Sequence, residues 1–232
     1  MNAASYRHGG AANVTRITSP AQARAVLVYA SRKLAGIHAN LGDPSSALRE
    51  QQRALELRNR LVELAPDDRK RKRDLVMSLA RVGKLHMDFG DYAAALVQHQ
   101  EALRTAEALV AGDPADALTL DTLADQHEEI GLVFHNQGKL GDALGHYRRA
   151  LAIYEQLAAR DPLNSGAHVA VAYERMNIGK AYEDRGNLKP AEQYYRDALR
   201  MTRQQLQADT SNIGFAASRR GFRDISPWCC GR

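Results

Sequence analysis

The residue types that most often carry chemistry are present in this chain, so their spacing is the first thing to test. There are eight histidines and two cysteines in 232 residues. A metal site needs several such ligands converging, often announced by two histidines four apart on one helix. His127 and His135 are eight apart, with no His-x-x-x-His pair and no cysteine nearby. Cys229 and Cys230 are adjacent, so a disulfide between them would be strained and free thiols are expected. No serine or cysteine stands in a nucleophile elbow or beside a recognisable base. The chain also lacks a G-x-G-x-x-G or G-x-x-x-x-G-K-[ST] phosphate loop and an HRD-like catalytic loop. These residues therefore predict no catalytic site, no metal and no cofactor.

One dense charge cluster remains, Arg69-Lys70-Arg71-Lys72-Arg73, flanked by Asp67, Asp68 and Asp74. It reads either as the solvated first turn of a helix or as a patch for an anionic partner. No aromatic residue is interleaved with it, which argues against nucleic acid, and a net charge of +5 does not demand it.

The elements that position these residues are repeated. "GDPSSALREQQRAL" begins at Gly42, "GDYAAALVQHQEAL" at Gly90, "GKLGDALGHYRRAL" at Gly138 and "GNLKPAEQYYRDAL" at Gly186, each 48 residues after the last. A constant period of this size marks a repeat array. Hydrophobic content of 44% with only 6% aromatics suits a folded, helix-rich chain. In the second repeat, Leu75, Val76, Leu79, Val82 and Phe89 keep helical spacing. Asp67 and Asp68 stand at that helix's start, Gly90 ends it, and Asp91 caps the next, which stops before Pro114. Each repeat is thus two antiparallel helices of roughly 20 residues, about 30 Å long.

Gly83, Gly131 and Gly179 recur inside the first helices, with Ala35 at that place in the first repeat. A glycine inside a helix costs about 1 kcal/mol against alanine, so a periodic one implies close helix contact. The small residues Ala47, Ala95, Ala143 and Ala191, with Ala54, Ala102, Ala150 and Ala198, are the expected partners of that contact.

Those residues resemble the tetratricopeptide repeat. The third repeat carries the pattern most fully, with Ile130-Gly131, Phe134, Gly138, Ala143, Tyr147, Ala150 and Pro162. The fourth has Ile178-Gly179, Tyr182, Gly186, Ala191, Tyr195 and Ala198, and the second uses His86 and His99 in the aromatic places. The first, with Leu34-Ala35, His38 and Gln51, is weakest. His38, His86 and His99 therefore read as interior ring-fillers. Usual units have about 34 residues. The excess of about 14 is close to four turns, which lengthens both helices without rotating their packed faces. The longer form is similar to arrays of bacterial signalling proteins.

The resemblance implies an all-α fold, a right-handed α-solenoid of four antiparallel helix pairs. The expected bounds are 1–19 for an N-terminal segment, 20–66, 67–114, 115–162 and 163–211 for the repeats, and 212–232 for a tail. It also implies a non-catalytic protein-interaction scaffold that holds a partner peptide or helix in its concave groove. The alternative is a regulatory arm of a kinase- or cyclase-linked signalling system whose catalytic domain lies on another chain. Carried over by register, the groove residues are Tyr29, Arg32, Gly36 and Asn40, then Met77, Ala80, Lys84 and Asp88. Asp125, Glu128, Leu132 and Asn136 follow, then Tyr173, Met176, Lys180 and Asp184. Steps of four and seven back from Met77 reach Arg73 and Lys70, which would place positive charge at the rim and suit an acidic partner. Arg69, Arg71 and Lys72 would point away from the groove, toward solvent or the neighbouring repeat. Glu192 and Gln205 replace leucines of earlier repeats, as on an end helix facing water. No apolar window is long enough for a membrane helix and no export signal is visible, so a cytoplasmic location is expected.

Overall fold

A computed structural model of the protein describes residues 19–208. The expected N-terminal segment, apart from residue 19, and the tail with Cys229 and Cys230 lie outside the described residues. Eight helices follow one another: α1 (Pro20–Asn40), α2 (Pro44–Glu63), α3 (Arg69–Asp88), α4 (Tyr92–Gly112), α5 (Ala117–Asn136), α6 (Leu140–Arg160), α7 (Ser165–Asp184) and α8 (Leu188–Ala208). The chain divides into two compact units, residues 1–61 and 62–232. Among the described residues the first holds α1 and most of α2. The second holds α3–α8, and there each helix packs on the next, from α3 on α4 through to α7 on α8, with α3 also reaching α5. That neighbour-by-neighbour order is a helical solenoid.

The local sequence dictates where the helices break. Ser19 and Gln22 form a reciprocal capping box at α1. Asp68, Asp91, Asp116 and Asn164 each accept a hydrogen bond from a backbone N–H of the first turn of their helix, and Asp43 does so for Ser46. Between the two helices of each pair the chain turns through Gly42, Gly90, Gly138 or Gly186, all with φ between 71° and 77°. A side chain is strained in that left-handed region, which is why glycine recurs there.

The interior is set by a ring packed on a glycine. A Cβ added to Gly131 would lie 2.7 Å from the ring of Tyr147, one at Gly83 2.6 Å from His99, and one at Gly179 2.9 Å from Tyr195. This corrects the expectation that alanines are the glycines' partners. The alanines are buried, with Ala95, Ala102, Ala143 and Ala150 fully so, but the atoms nearest each glycine belong to the large ring of the second helix. In the first repeat the ring position holds Gln51 and the glycine position holds Ala35, so the two change together. His99 is fully buried, as expected of a ring-filler, whereas His86 and His38 are half-buried, near Asp91 and Asp43 respectively.

A second register is also buried and polar. Ser78, Gln126 and Glu174, each 48 residues apart, are all sealed from solvent. Gln126 of α5 meets His99 of α4 at 3.4 Å. Glu174 of α7 raises the pKa of the Tyr147 hydroxyl of α6, after the larger effect of burial. Each junction between pairs in the second unit thus sets a ring against a polar side chain.

Gly131→Ala is expected to destabilise the protein by about 1–3 kcal/mol, because the sealed Tyr147 ring cannot yield and overpacking outweighs alanine's helix propensity. In thermal or urea melts, Gly131→Ala combined with Tyr147→Gln should lose less than the sum of the two single changes. A fully additive pair would show that ring and glycine do not share one space.

Candidate partner-binding face

In the second unit the first helices of the pairs, α3, α5 and α7, share the same pattern. On α7, Val171, Ala172, Glu174, Ile178, Gly179 and Ala181 are buried, while Tyr173, Met176, Lys180 and Asp184 are exposed between them. On α3, Met77, Lys84 and Asp88 are exposed beside buried Leu75, Val76, Ser78, Leu79 and Val82, and Ala80 is half-buried. On α5, Asn136 is exposed, and Asp125, Glu128 and Leu132 are half-buried. The i, i+3, i+4 spacing that drives one stripe inward leaves these residues on the opposite stripe. In the first unit, Tyr29, Gly36 and Asn40 of α1 are exposed, Arg32 is half-buried, and the Lys33 ammonium lies 5.6 Å over the Tyr29 ring.

The large apolar side chains on this face of the second unit are Met77, Tyr173 and Met176, between 43% and 48% exposed. Its charges are internally matched. Lys84 pairs with Asp88 at 3.3 Å and Lys180 with Asp184 at 2.6 Å. Asp184 also meets His135 Nε2 at 2.7 Å, tying α7 to α5. Burial alone would raise the Asp184 pKa, but its bonds to Lys180 and His135 outweigh it and hold the carboxyl below the usual range. Asp125 accepts a hydrogen bond from the Tyr154 hydroxyl of α6. His135 Nδ1 lies 3.4 Å from the Tyr147 hydroxyl, so one short network links the face to the ring that fills the junction.

The basic run divides differently from the stripe argument. Arg69 and Arg73 both reach Asp116 Oδ2, at 3.3 and 3.1 Å, and Arg69 also donates to the Leu109 carbonyl at the end of α4. Arg73, expected with Lys70 at the groove rim, is ion-paired instead of standing alone: its guanidinium ties α3 to the start of α5. Arg69 does point to the neighbouring repeat. Arg71 pairs with Asp68 at 3.1 Å. Lys70 is exposed. Asp116 caps α5 through its bonds to Leu118 and Thr119. The Thr119 side chain is the main influence holding its pKa low, and Arg69 adds to it. The register of the sequence points to Asp116, since the caps Asp68, Asp116 and Asn164 are 48 apart.

The histidines make one further contact that spacing did not suggest. His127 of α5 is buried with its Nδ1 3.2 Å from Nδ1 of His146 on α6, and Phe134 packs on His146 with centroids 5.6 Å apart. Burial, then His146 and Arg149, push the His127 pKa down to about 4, and burial first of all lowers that of His146. A neutral pair, one ring donating to the other, is what this pocket stabilises. Among the described residues no group of three or more His, Cys, Asp or Glu converges as a metal site would require. No described helix is long and apolar enough to cross a membrane.

Residues 75–120, 128–162 and 175–209, together half of the chain, match the tetratricopeptide repeat. Among solved structures the fold is similar to the apo form of RapI, with a TM-score of 0.58 and 15% identity over 80% of this chain and 59% of that one. The chain thus spans less than two thirds of RapI. A similar likeness holds to the DHF58 filament, with a TM-score of 0.50 and 19% identity over 81% of this chain and 97% of that one. No curated protein matches.

The neutral histidine pair makes stability depend on pH. His127 titrates near 6.5 when unfolded and near 4 when folded, so its contribution is complete above about 6.5 and is lost as pH falls toward 4. The expected loss from His127 is about 2 kcal/mol between pH 7 and pH 5. Melts across that range should fall steeply for the parent and less steeply for His127→Leu. Equal slopes would show that the pair does not control the acid response.

Proposed function

The chain belongs to the tetratricopeptide repeat family, and from that premise we propose that it is a non-catalytic scaffold holding a partner segment along the α3, α5 and α7 face. The observation that carries this reading is the exposure of Met77 on α3 and of Tyr173 and Met176 on α7, helices otherwise tightly packed. Exposed large apolar groups rimmed by charge are the usual anchors of an interface, and methionine and tyrosine adapt well to a partner's side chains.

The same face favours a particular kind of partner. Lys84 and Lys180 are engaged by Asp88 and Asp184, and Asp125 and Glu128 add acidic character beside them. With Arg73 committed to Asp116, little supports a strongly acidic ligand. The fitting partner is an amphipathic helix or extended segment with apolar anchors and charges of both signs. Nucleic acid fits poorly, because Arg69, Arg71 and Arg73 are already paired within the fold.

The test is site-specific photo-crosslinking in cells, with the reactive side chain at Met176, at Met77 and, as control, at Val97, which is exposed on α4. One partner should be captured at both face positions and not at Val97. Once it is identified, Tyr173→Glu and Met176→Glu should each weaken binding at least about tenfold. Their melts should stay within about 0.5 kcal/mol of the parent, because neither side chain is buried. Capture only at Val97, or unchanged affinity in both variants, would overturn this assignment.

A further inference from the structure

The two ends of the helix series carry the two halves of a junction that the second unit already builds internally. In that junction Ala143, Leu144 and Tyr147 of α6 bury against Ile178 and Ala181 of α7. Nearby, Tyr154 and Leu157 of α6 bury with Ala170 and Val171 of α7. Those four α7 residues are at most 1% exposed.

Three periods earlier, the same register on α1 holds Val26, Leu27, Leu34 and Ile37. They are as apolar as their α7 counterparts, or larger, yet they are 53%, 52%, 45% and 53% exposed. At the register where Ser78, Gln126 and Glu174 are buried and polar, α1 has exposed Ala30. A helix face meant for water would carry polar residues at these positions. This one is the receiving half of a repeat junction with nothing described on it.

One period later than α6, the first three turns of α8 carry the matching half, whereas Thr202 and Gln205 stand where α6 has Tyr154 and Leu157. Ala191, Tyr195 and Leu199 stand in register with Ala143, Tyr147 and Leu151. Together with Leu188, Glu183, Glu192 and Arg196 they line an open cleft. Leu188 and Leu199 are 66% and 50% exposed.

We propose that the occupant of each face is a second copy of this chain, with α8 of one molecule docking on α1 of the next through the geometry that α6 and α7 use internally. The shared register supports this occupant: Leu34 and Ile37 stand where Ile178 and Ala181 do, and Ala191 and Tyr195 where Ala143 and Tyr147 do, so the docking lies along that part of the contact. Such a contact joins two different surfaces, so it propagates head to tail and does not close as a twofold dimer. Glu192, which replaces Leu144 and pairs with Arg196 at 2.6 Å, puts a charge into the docking half. It weakens the contact and keeps the association reversible.

The experiment is sedimentation velocity of the full chain over a wide concentration range, with Leu34→Glu and Leu199→Glu as variants of the two faces. Both side chains are exposed in the single molecule, so unchanged circular dichroism and melts should confirm that the variants fold. The parent should form a concentration-dependent series extending beyond the dimer. Each variant alone should stay monomeric, since each lacks one half of the contact. Their equimolar mixture should give a dimer and nothing larger, through the intact α8 face of Leu34→Glu and the intact α1 face of Leu199→Glu. Glu192→Leu should move the association midpoint to about tenfold lower concentration. A parent that is monomeric throughout would overturn the proposal, whether or not the chain's own terminal segments cover the faces. A variant that still associates by itself, or a mixture that stays monomeric, would also overturn it.

Discussion

The approach of a ring to a helix glycine is the constraint from which the rest of this protein follows. Tyr147 lies so close to Gly131 that not even a methyl group fits between them, and His99 and Tyr195 repeat the arrangement at Gly83 and Gly179. The contact sets how near the two helices of a pair can lie and which face of each turns inward. Once that face is fixed, the 3.6-residue periodicity decides the remainder. The buried stripe of α7 faces its neighbours, and Tyr173, Met176, Lys180 and Asp184 emerge on the opposite side. The exposed face of α3, α5 and α7 is therefore a geometric by-product of the packing contact, and the His135 link between Asp184 and Tyr147 joins the two directly.

Polar chemistry in this chain serves assembly of the array. Asp116 caps one helix while holding two arginines from the preceding pair, so a side chain that begins α5 also anchors α3. A carboxylate shared between two guanidinium groups and a capped helix start stabilises more than an isolated surface pair, because it is partly screened from solvent and geometrically fixed. The histidines follow the same logic. His99 fills a ring position, His127 and His146 share a hydrogen-bonded pocket, and His135 is a strut. Among the described residues these histidines make packing and hydrogen-bond contacts between helices.

The fold was largely legible because every repeat states the same rule. Turn glycines and inward stripes recur at 48-residue intervals, capping carboxylates recur at Asp43 and Asp91 and at Asp68 and Asp116, and the described helices break near those signals. What sequence reasoning misjudged was side-chain reach across a junction. The stripe argument assigned Arg73 by its angle on α3, but a long guanidinium stem can leave that angle to meet a carboxylate 43 residues away. It also matched small residue with small residue, whereas the glycine accommodates the largest ring nearby. Exposure was legible from register at Met77, Tyr173 and Met176, which stand in solvent, and less so at Arg32, Asp125 and Glu128, which are half-buried. Their partner was not, because a surface stripe encodes accessibility and chemistry without encoding what will cover it.

An array of near-identical helix pairs also faces a problem of mistaken identity while it forms, since any second helix resembles the proper neighbour of several first helices. The buried register of Ser78, Gln126 and Glu174 bears on this. Its three residues share one position, and they differ in size and hydrogen-bonding capacity, with Glu174 alone ionisable. Gln126 meets a histidine ring, and Glu174 sits near a tyrosine. Docking displaced by one repeat would exchange these partners, and any polar atom then left without a hydrogen bond would have no water to replace it. A position that looks like a defect in an apolar seam thus gives each of these otherwise similar helices its own polar side chain to satisfy.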